Sequence, residues 1–190
     1  QAMDSVKEYL DTDLGIKKIH PAMTTDYPTK EENLTCYNKG CGENGSVFCH
    51  ANTWAIIAEC MLGRPENAWK YYHQLLPMIA QKTAGAERYK AEPYVYSSNI
   101  FGPESDKFGL ANVSWLTGTA AWMYLAATQY LLGVRPTWDG LEIDPCLPEQ
   151  LLPAKVTRVF RGCRYEITIT KNQKLLLPHV DGRKQLTVTV

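Results

Sequence analysis

The sequence holds no apolar run near the roughly 20 residues that a membrane-spanning helix needs, and no signal-peptide pattern at Gln1-Ala2-Met3-Asp4-Ser5. Neither charge is in surplus. Its 20 basic and 20 acidic side chains cancel, so no nucleic-acid tract and no membrane-surface patch is expected, and the partner should be a small neutral molecule or another protein. No CxxC pair is present to pinch a tetrahedral zinc ion, which argues against a metal centre built from Cys36, Cys41, Cys49 and His50. Internal repeats and low-complexity tracts are also missing. What is abundant is apolar material: 45% of residues are hydrophobic and 21% charged, enough over 190 residues for one substantial core and a smaller module. A core-rich chain of this size does not need a disulfide scaffold, so Cys36, Cys41, Cys49, Cys60, Cys146 and Cys163 are expected to be free thiols in a cytoplasmic protein. Gln1 and Ala2 ahead of Met3 read as residues left by cloning, and a helical stretch starting at once suggests a piece of a longer protein.

Along the chain, a helical pattern over 3–10 gives way to residues 11–45, rich in Thr, Asn, Gly and charge without a sustained period, which reads as a long loop. The run HANTWAIIAECML (50–62) puts Trp54, Ile57, Ala58 and Met61 on one stripe, and Gly63 follows as a C-cap glycine would. Pro65 suits a first helical turn, and a second helix is expected to about Gln81. After a loop over 83–112, Ser114 is placed to cap a helix reaching Leu132 and closed by Gly133. This helix is apolar nearly all round, which predicts burial on most sides. From Trp138 the pattern changes: VTRVFRGCRYEITIT alternates about an Arg161-Gly162 turn as a β-hairpin does, and QLTVTV adds a further strand.

Three loop-to-helix junctions carry polar chemistry. In Tyr37–His50, glycines let backbone approach a ligand closely and His50 opens a helix, although a tight turn with a packing histidine explains the same residues. In Glu92-Pro93-Tyr94-Val95-Tyr96, a carboxylate and two tyrosines suit a sugar, whose hydroxyls the carboxylate accepts and whose pyranose face a ring stacks on. A structural loop anchored by the tyrosine hydroxyls accounts for it equally well. In Ser114-Trp115-Leu116-Thr117-Gly118-Thr119, hydroxyls and glycine N–H groups open a helix and could take an anion. A plain cap explains Ser114 but less readily the Thr-Gly-Thr that follows.

The strings ENGSVFCHANTW, EPYVY, SWLTGTAAW and DGLEIDPCLP, in this order over about residues 35–170, resemble the cellobiose and chitobiose phosphorylase family, glycoside hydrolase family 94. The resemblance implies a longer enzyme with an amino-terminal β-sandwich, a helical linker, an (α/α)6 barrel and a carboxy-terminal β-domain. It also implies cleavage of a β-glycosidic bond by inorganic phosphate, with inversion, to give an α-sugar 1-phosphate. Phosphate arrives anionic and nucleophilic, so one protein carboxyl group suffices, as the general acid. In the family that Asp lies upstream of the matched region, so no catalytic residue is expected in this chain. The resemblance assigns phosphate binding to His50, Thr117 and Gly118, with an upstream arginine, and a contact to the leaving sugar to Tyr37. At the position where cellobiose-specific members carry Lys stands Gly42, followed by Glu43, with Lys39 as the alternative cation. Where Gln often follows EPYVY by two residues stands Ser98. Glu43 and Ser98 are therefore candidate substrate contacts, and longer cellodextrins, cellobionic acid, laminaribiose and β-1,2-glucans stay open beside cellobiose.

The expected fold is thus mainly α with a β tail: the last helices of an (α/α)6 barrel over 1–136, then a linker and small β-domain over 137–190. The expected partners are an oligosaccharide and phosphate as co-substrate, with no cofactor and no metal, and the resemblance leaves room for a homodimer. Two other classes remain: an (α/α) barrel glycoside hydrolase, in which His50 and Thr117 are structural, and a non-catalytic carbohydrate-binding or interface module. Phosphate dependence separates them.

Overall fold

The computed structural model describes residues 1–24, 37–179, 182 and 184–190. They fall into two compact units, one of residues 1–56 with 70–123, the other of residues 57–69 with 124–190.

In the first unit, α1 (Ala2–Ser5) widens into a π-helical turn, Val6–Leu10. Two short antiparallel strands follow, β1 (Asp11–Thr12) and β2 (Gly15–Ile16). The turn between them is set by Thr12, whose hydroxyl donates to the Gly15 carbonyl at 2.6 Å and accepts from the Leu14 N–H at 3.2 Å. Strand β3 (Val47–Phe48) leads straight into α2 (Cys49–Met61). After the end of α2 and the first residues of α3 (Pro65–Leu75), which over 57–69 belong to the second unit, come α4 (Pro77–Ala84), α5 (Ala86–Tyr89), β4 (Ser97–Ile100) and β5 (Ala111–Ser114). The three strands form an antiparallel sheet in the order β3-β4-β5, with Phe48 opposite Asn99 and Ser97 opposite Ser114. Asn52 brackets α2 to β2: its amide accepts from the Ile16 N–H at 2.7 Å and donates to the Ile16 carbonyl at 2.9 Å. Such a side chain replaces a strand partner, and its loss would leave two buried backbone groups unpaired.

The helix expected over 65–81 breaks at Pro77, which lacks the N–H that would continue α3. Leu76 before it takes an extended ψ of 129°, the conformation proline imposes on its predecessor.

Lys17 is buried with its ammonium 2.6 Å from Glu104 Oε1 and 3.0 Å from His20 Nδ1. Burial works to raise the Glu104 pKa, but the hydrogen bond from Lys17, one from its own backbone N–H, the Lys17 charge and lastly His20 outweigh it and leave the carboxyl below its ordinary range. A depressed folded-state pKa contributes stability that is present above the unfolded value and lost as pH falls through the folded one. Glu104→Gln is therefore expected to lower stability at neutral pH and to flatten its decline below about pH 4.5. Chemical denaturation at pH 7 and in acid checks this: equal losses at both pH values would contradict it.

Helix α6 (Thr119–Leu125) begins in the first unit, which runs to Met123, and in the second unit it passes into a π-helical segment, Ala126–Leu131. Then come β6 (Val134–Pro136), β7 (Gly140–Ile143), β8 (Ala154–Phe160), β9 (Cys163–Ile169), β10 (Leu175–Pro178) and β11 (Gln185–Thr189). They make two sheets, β10-β7-β6 and β11-β9-β8, the second with β11 parallel to β9. Phe160 pairs with Cys163 across the Arg161-Gly162 turn, and both turn residues have positive φ, 46° and 75°, as a two-residue hairpin requires. Alternation buries Cys163, Tyr165, Ile167 and Ile169 on one face of β9. The guanidinium of Arg135 ties β6 to β7, meeting Glu142 at 2.6 Å and Asp144 at 2.7 Å.

The expectation of a mainly α fold with a β tail is overturned. Of the described residues 35% are helical and 27% lie in strands, which form four small sheets, and no barrel is shown. Strands of two to four residues in β1–β5 are too short to display a period of two, so the stretches 11–45 and 83–112 read as loops although they hold strands. Ser114 caps no helix; it ends β5, and α6 starts five residues later. Among the described residues, no helix is long and apolar enough to cross a membrane.

Candidate functional site

His50 is the second residue of α2, and Trp54 lies one turn on. Gly118 and Trp122 repeat the same four-residue spacing at the start of α6, where the Trp122 N–H donates to the Gly118 carbonyl at 3.2 Å. The two helix starts meet. The His50 ring centroid lies 5.3 Å from Trp54 and 6.0 Å from Trp122, and the two indoles stand edge-on at 6.2 Å and 84°. A Cβ added at Gly118 would come within 3.2 Å of His50 Cε1, so only glycine leaves this ring unpressed. Nε2 of His50 is buried and has no hydrogen-bond partner. A buried polar atom without a partner costs about 1–3 kcal/mol, so such an atom marks a place where something is missing.

On either side of Gly118 in the chain, the hydroxyls of Thr117 and Thr119 lie 2.6 Å apart, and Thr117 Oγ1 accepts from the Thr119 N–H at 3.2 Å. Either hydroxyl can donate in this pair, and where Thr119 donates, the Thr117 proton can turn toward a third group. The chain reaches this point through strained backbone: Val113 and Trp115 have φ of 50° and 69°, the left-handed region that non-glycine residues enter at a cost of roughly 1–3 kcal/mol each. For β-branched Val113 this is a true outlier. Trp115 is held by Glu92, which accepts its indole N–H at 3.1 Å. Hydrogen bonds from its own backbone N–H first, then from Trp115 and Ser114, keep the Glu92 carboxyl below the usual range.

The other expected residues lie in their own surroundings. Tyr37 is half exposed, its ring so close over Gly42 that a Cβ there would fall 2.6 Å from it, and its carbonyl accepts from Asn44 at 3.0 Å. Glu43 is ion-paired with Lys18, whose ammonium sits 4.7 Å above the Phe48 ring. Ser98 is half buried on β4. Lys39 is exposed. Among the described residues no hydrogen bond joins Tyr37, Glu43 or Ser98 to His50. Cys36 lies outside the described residues, and the remaining five cysteines are free thiols.

Sequence reading picked out His50, Thr117 and Gly118, which the structure brings together, and missed the indoles around them. Trp54 stands on the apolar stripe of α2, yet it is 54% exposed. The signal was present as the paired spacing His-x3-Trp and Gly-x3-Trp, which puts each indole on the same helix face as its partner.

The model of the glycosyl hydrolase 94 superfamily, catalytic domain, matches residues 1–133. The chain belongs to this superfamily. Its similarity to curated relatives extends further along the sequence. It is 35% identical to a solabiose phosphorylase of Paenibacillus borealis over 99% of its own length, and 40% identical to an N,N'-diacetylchitobiose phosphorylase of Vibrio proteolyticus over 89%. It is also 32% identical over 98% of its length to the cyclic beta-(1,2)-glucan synthase NdvB of Rhizobium meliloti. The chain spans 24%, 21% and 7% of these three proteins respectively.

Proposed function

We propose that the chain is the phosphate-binding portion of an inverting glycoside phosphorylase, which cleaves a β-linked gluco-disaccharide or oligosaccharide with inorganic phosphate to give an α-sugar 1-phosphate. The observation that carries this reading is the buried, partnerless His50 Nε2 beside the Thr117 hydroxyl and the Gly118 backbone. An imidazole N–H, a hydroxyl and a backbone N–H are three donors suited to an oxyanion, and placed together they would hold phosphate in line for attack on the anomeric carbon. Tyr37, Glu43 and Ser98 are proposed as sugar contacts from the other junctions. The two phosphorylase relatives support the reaction class, and their different printed sugars, solabiose and N,N'-diacetylchitobiose, support leaving the acceptor open.

No residue of this chain is assigned as the general acid. The role of this segment is to bind and orient the nucleophile, while proton delivery to the leaving oxygen belongs to a carboxyl group elsewhere in the parent. Residues 137–190 are read as its carboxy-terminal β-domain, and a cytoplasmic, dimeric parent belongs to the same reading.

Phosphate dependence tests it. The full-length parent is expected to release phosphate from α-glucose 1-phosphate only when an acceptor sugar is added, and a panel of acceptors names the substrate. Phosphate-independent hydrolysis of a β-glucoside would replace the reading with a hydrolase, and sugar binding without turnover would replace it with a binding module.

A further inference from the structure

In the second unit the last turn of α2 and the chain leaving β7 enclose a cavity of about 690 Å³, lined among others by Cys60, Tyr130, Arg135, Asp144, Cys146 and Asn172. Two of its walls are thiols, and they touch: the Cys60 S–H donates a hydrogen bond to the Cys146 sulfur. Both are free cysteines. They are 86 residues apart in sequence and come from different elements, so the contact is made by the tertiary fold and not by a local CxxC turn. The segment around Cys146 is firmly placed, since its N–H donates to the Leu131 carbonyl at 2.9 Å and that of Asp144 to Gly133 at 2.8 Å. The proposed phosphate site makes no use of this pair.

We propose that Cys60 and Cys146 form a reversible oxidation site, closing to an intramolecular disulfide by exchange with a low-molecular-weight disulfide that enters this cavity. Cys146 is the attacking sulfur. It receives the hydrogen bond from Cys60, which lowers its pKa, while donating that bond and being buried push Cys60 up. The charges of Asp144 and Glu59 work against the Cys146 thiolate, so the hydrogen bond is what selects it. The Cys146 thiolate attacks one sulfur of the small disulfide, forming a mixed disulfide and expelling one small thiolate. Cys60, giving its proton to solvent, then attacks the Cys146 sulfur, forms the Cys60–Cys146 bond and expels the second small thiolate. Two protein thiols are oxidised and one small disulfide is reduced to two thiols, so electrons and protons balance. The product staples α2 to the exit of β7.

The other described cysteines lack these conditions. Cys49 is fully enclosed, and burial pushes its thiol up to about 12. Cys163, beneath β9, meets the Arg164 carbonyl, and half-exposed Cys41 meets the Lys39 carbonyl and the Ser105 hydroxyl, so among the described contacts neither has a thiol to close on.

The chain incubated with oxidised glutathione under native conditions, then alkylated and peptide-mapped by mass spectrometry, tests this. A Cys60–Cys146 cross-link is expected, formed at least about tenfold faster than any adduct on Cys49 or Cys163, reversed by dithiothreitol, and lost in urea where the two thiols separate. The variants Cys60→Ser and Cys146→Ser separate the steps. Cys60→Ser should stop at a glutathione adduct on Cys146, whereas Cys146→Ser should react more slowly at Cys60. Circular dichroism confirms that each variant is folded. Both thiols remaining free while adducts collect elsewhere would overturn the proposal, as would cross-linking that appears only after unfolding. Because the readout is a bond between two named peptides, it does not depend on phosphorolysis.

Discussion

Replacing His50 with Ala in the full-length parent is expected to lower phosphorolysis by on the order of 10²–10³-fold, the usual cost of removing one preorganised donor from a developing charge. The expectation rests on the state of the ring. Its Nε2 is buried without a partner, and two indoles and Gly118 hold the imidazole in place. No reorganisation is therefore needed when phosphate arrives. Thr117→Ala should act in the same direction and Thr117→Ser should recover most of the loss, because the hydroxyl and not the methyl makes the contact. Gly118→Ala gives a graded case: its methyl would sit 3.2 Å from His50 Cε1 and displace the ring by a few tenths of an ångström. Since a misplacement of about 1 Å can cost roughly 10²-fold, this variant should lose less than His50→Ala but well above error. Initial rates against phosphate concentration, at saturating disaccharide, measure all four. If His50→Ala keeps its rate within a few-fold, the imidazole is structural and the phosphate assignment fails.

What the sequence disclosed and concealed follows one physical division. Long elements with a full period were legible: α2 runs within one residue of the expected helix, and the β8–β9 hairpin turns at Arg161-Gly162 as the alternation indicated. Short strands were not, because two residues such as Val47-Phe48 carry no alternation, and their pairing with Ser97–Ile100 is a tertiary fact. The apolar faces were legible as patterns but not as burial. The stripe Trp54, Ile57, Ala58 and Met61 suggested the packed side of α2, yet Trp54 and Met61 are 54% and 76% exposed. Ile57 of that stripe is buried, and with it Cys49, Asn52, Thr53, Ile56 and Glu59, with Asn52 satisfied by the Ile16 backbone. Likewise the residues leading into and along α6 expected to be enclosed leave Trp115, Leu116 and Tyr124 open. Hydropathy reports which face gains from being covered, and it is silent on what covers it. The candidate cluster was legible where a motif fixed both residue type and spacing, as at His50 and Thr117-Gly118, whose phosphate-binding role is a proposal. It was hidden where geometry depends on strained backbone, since nothing in Val113 or Trp115 announces a left-handed φ.

Gly133→Ala is expected to destabilise the second unit strongly, and Gly63→Ala is its control. Both glycines follow helices and have nearly the same left-handed φ, 68° and 66°. They differ in what surrounds them. A Cβ at Gly63 meets nothing within 4 Å, whereas one at Gly133 would overlap the Asp144 carbonyl and press on the Pro145 nitrogen. Those are backbone atoms that cannot swing aside: the Asp144 N–H is bonded to the Gly133 carbonyl at 2.8 Å, and Val134 next along pairs with Ile143 in the sheet. The left-handed φ alone costs alanine roughly 1–2 kcal/mol, so Gly63→Ala should lose about that much. Gly133→Ala adds an overpacking term of about 1–3 kcal/mol or more, with no flexible side chain to absorb it. A total of roughly 2–5 kcal/mol is a large part of the 5–15 kcal/mol that folded proteins hold in reserve. At about 2–4 °C per kcal/mol for a chain of this size, the midpoint should fall by roughly 4–20 °C, against roughly 2–8 °C for Gly63→Ala. Thermal unfolding of the two variants side by side decides it. Equal shifts would mean that the chain leaving α6 can retreat from Asp144, and that the stitch between the end of that helix and the exit of β7 is looser than its hydrogen bonds imply.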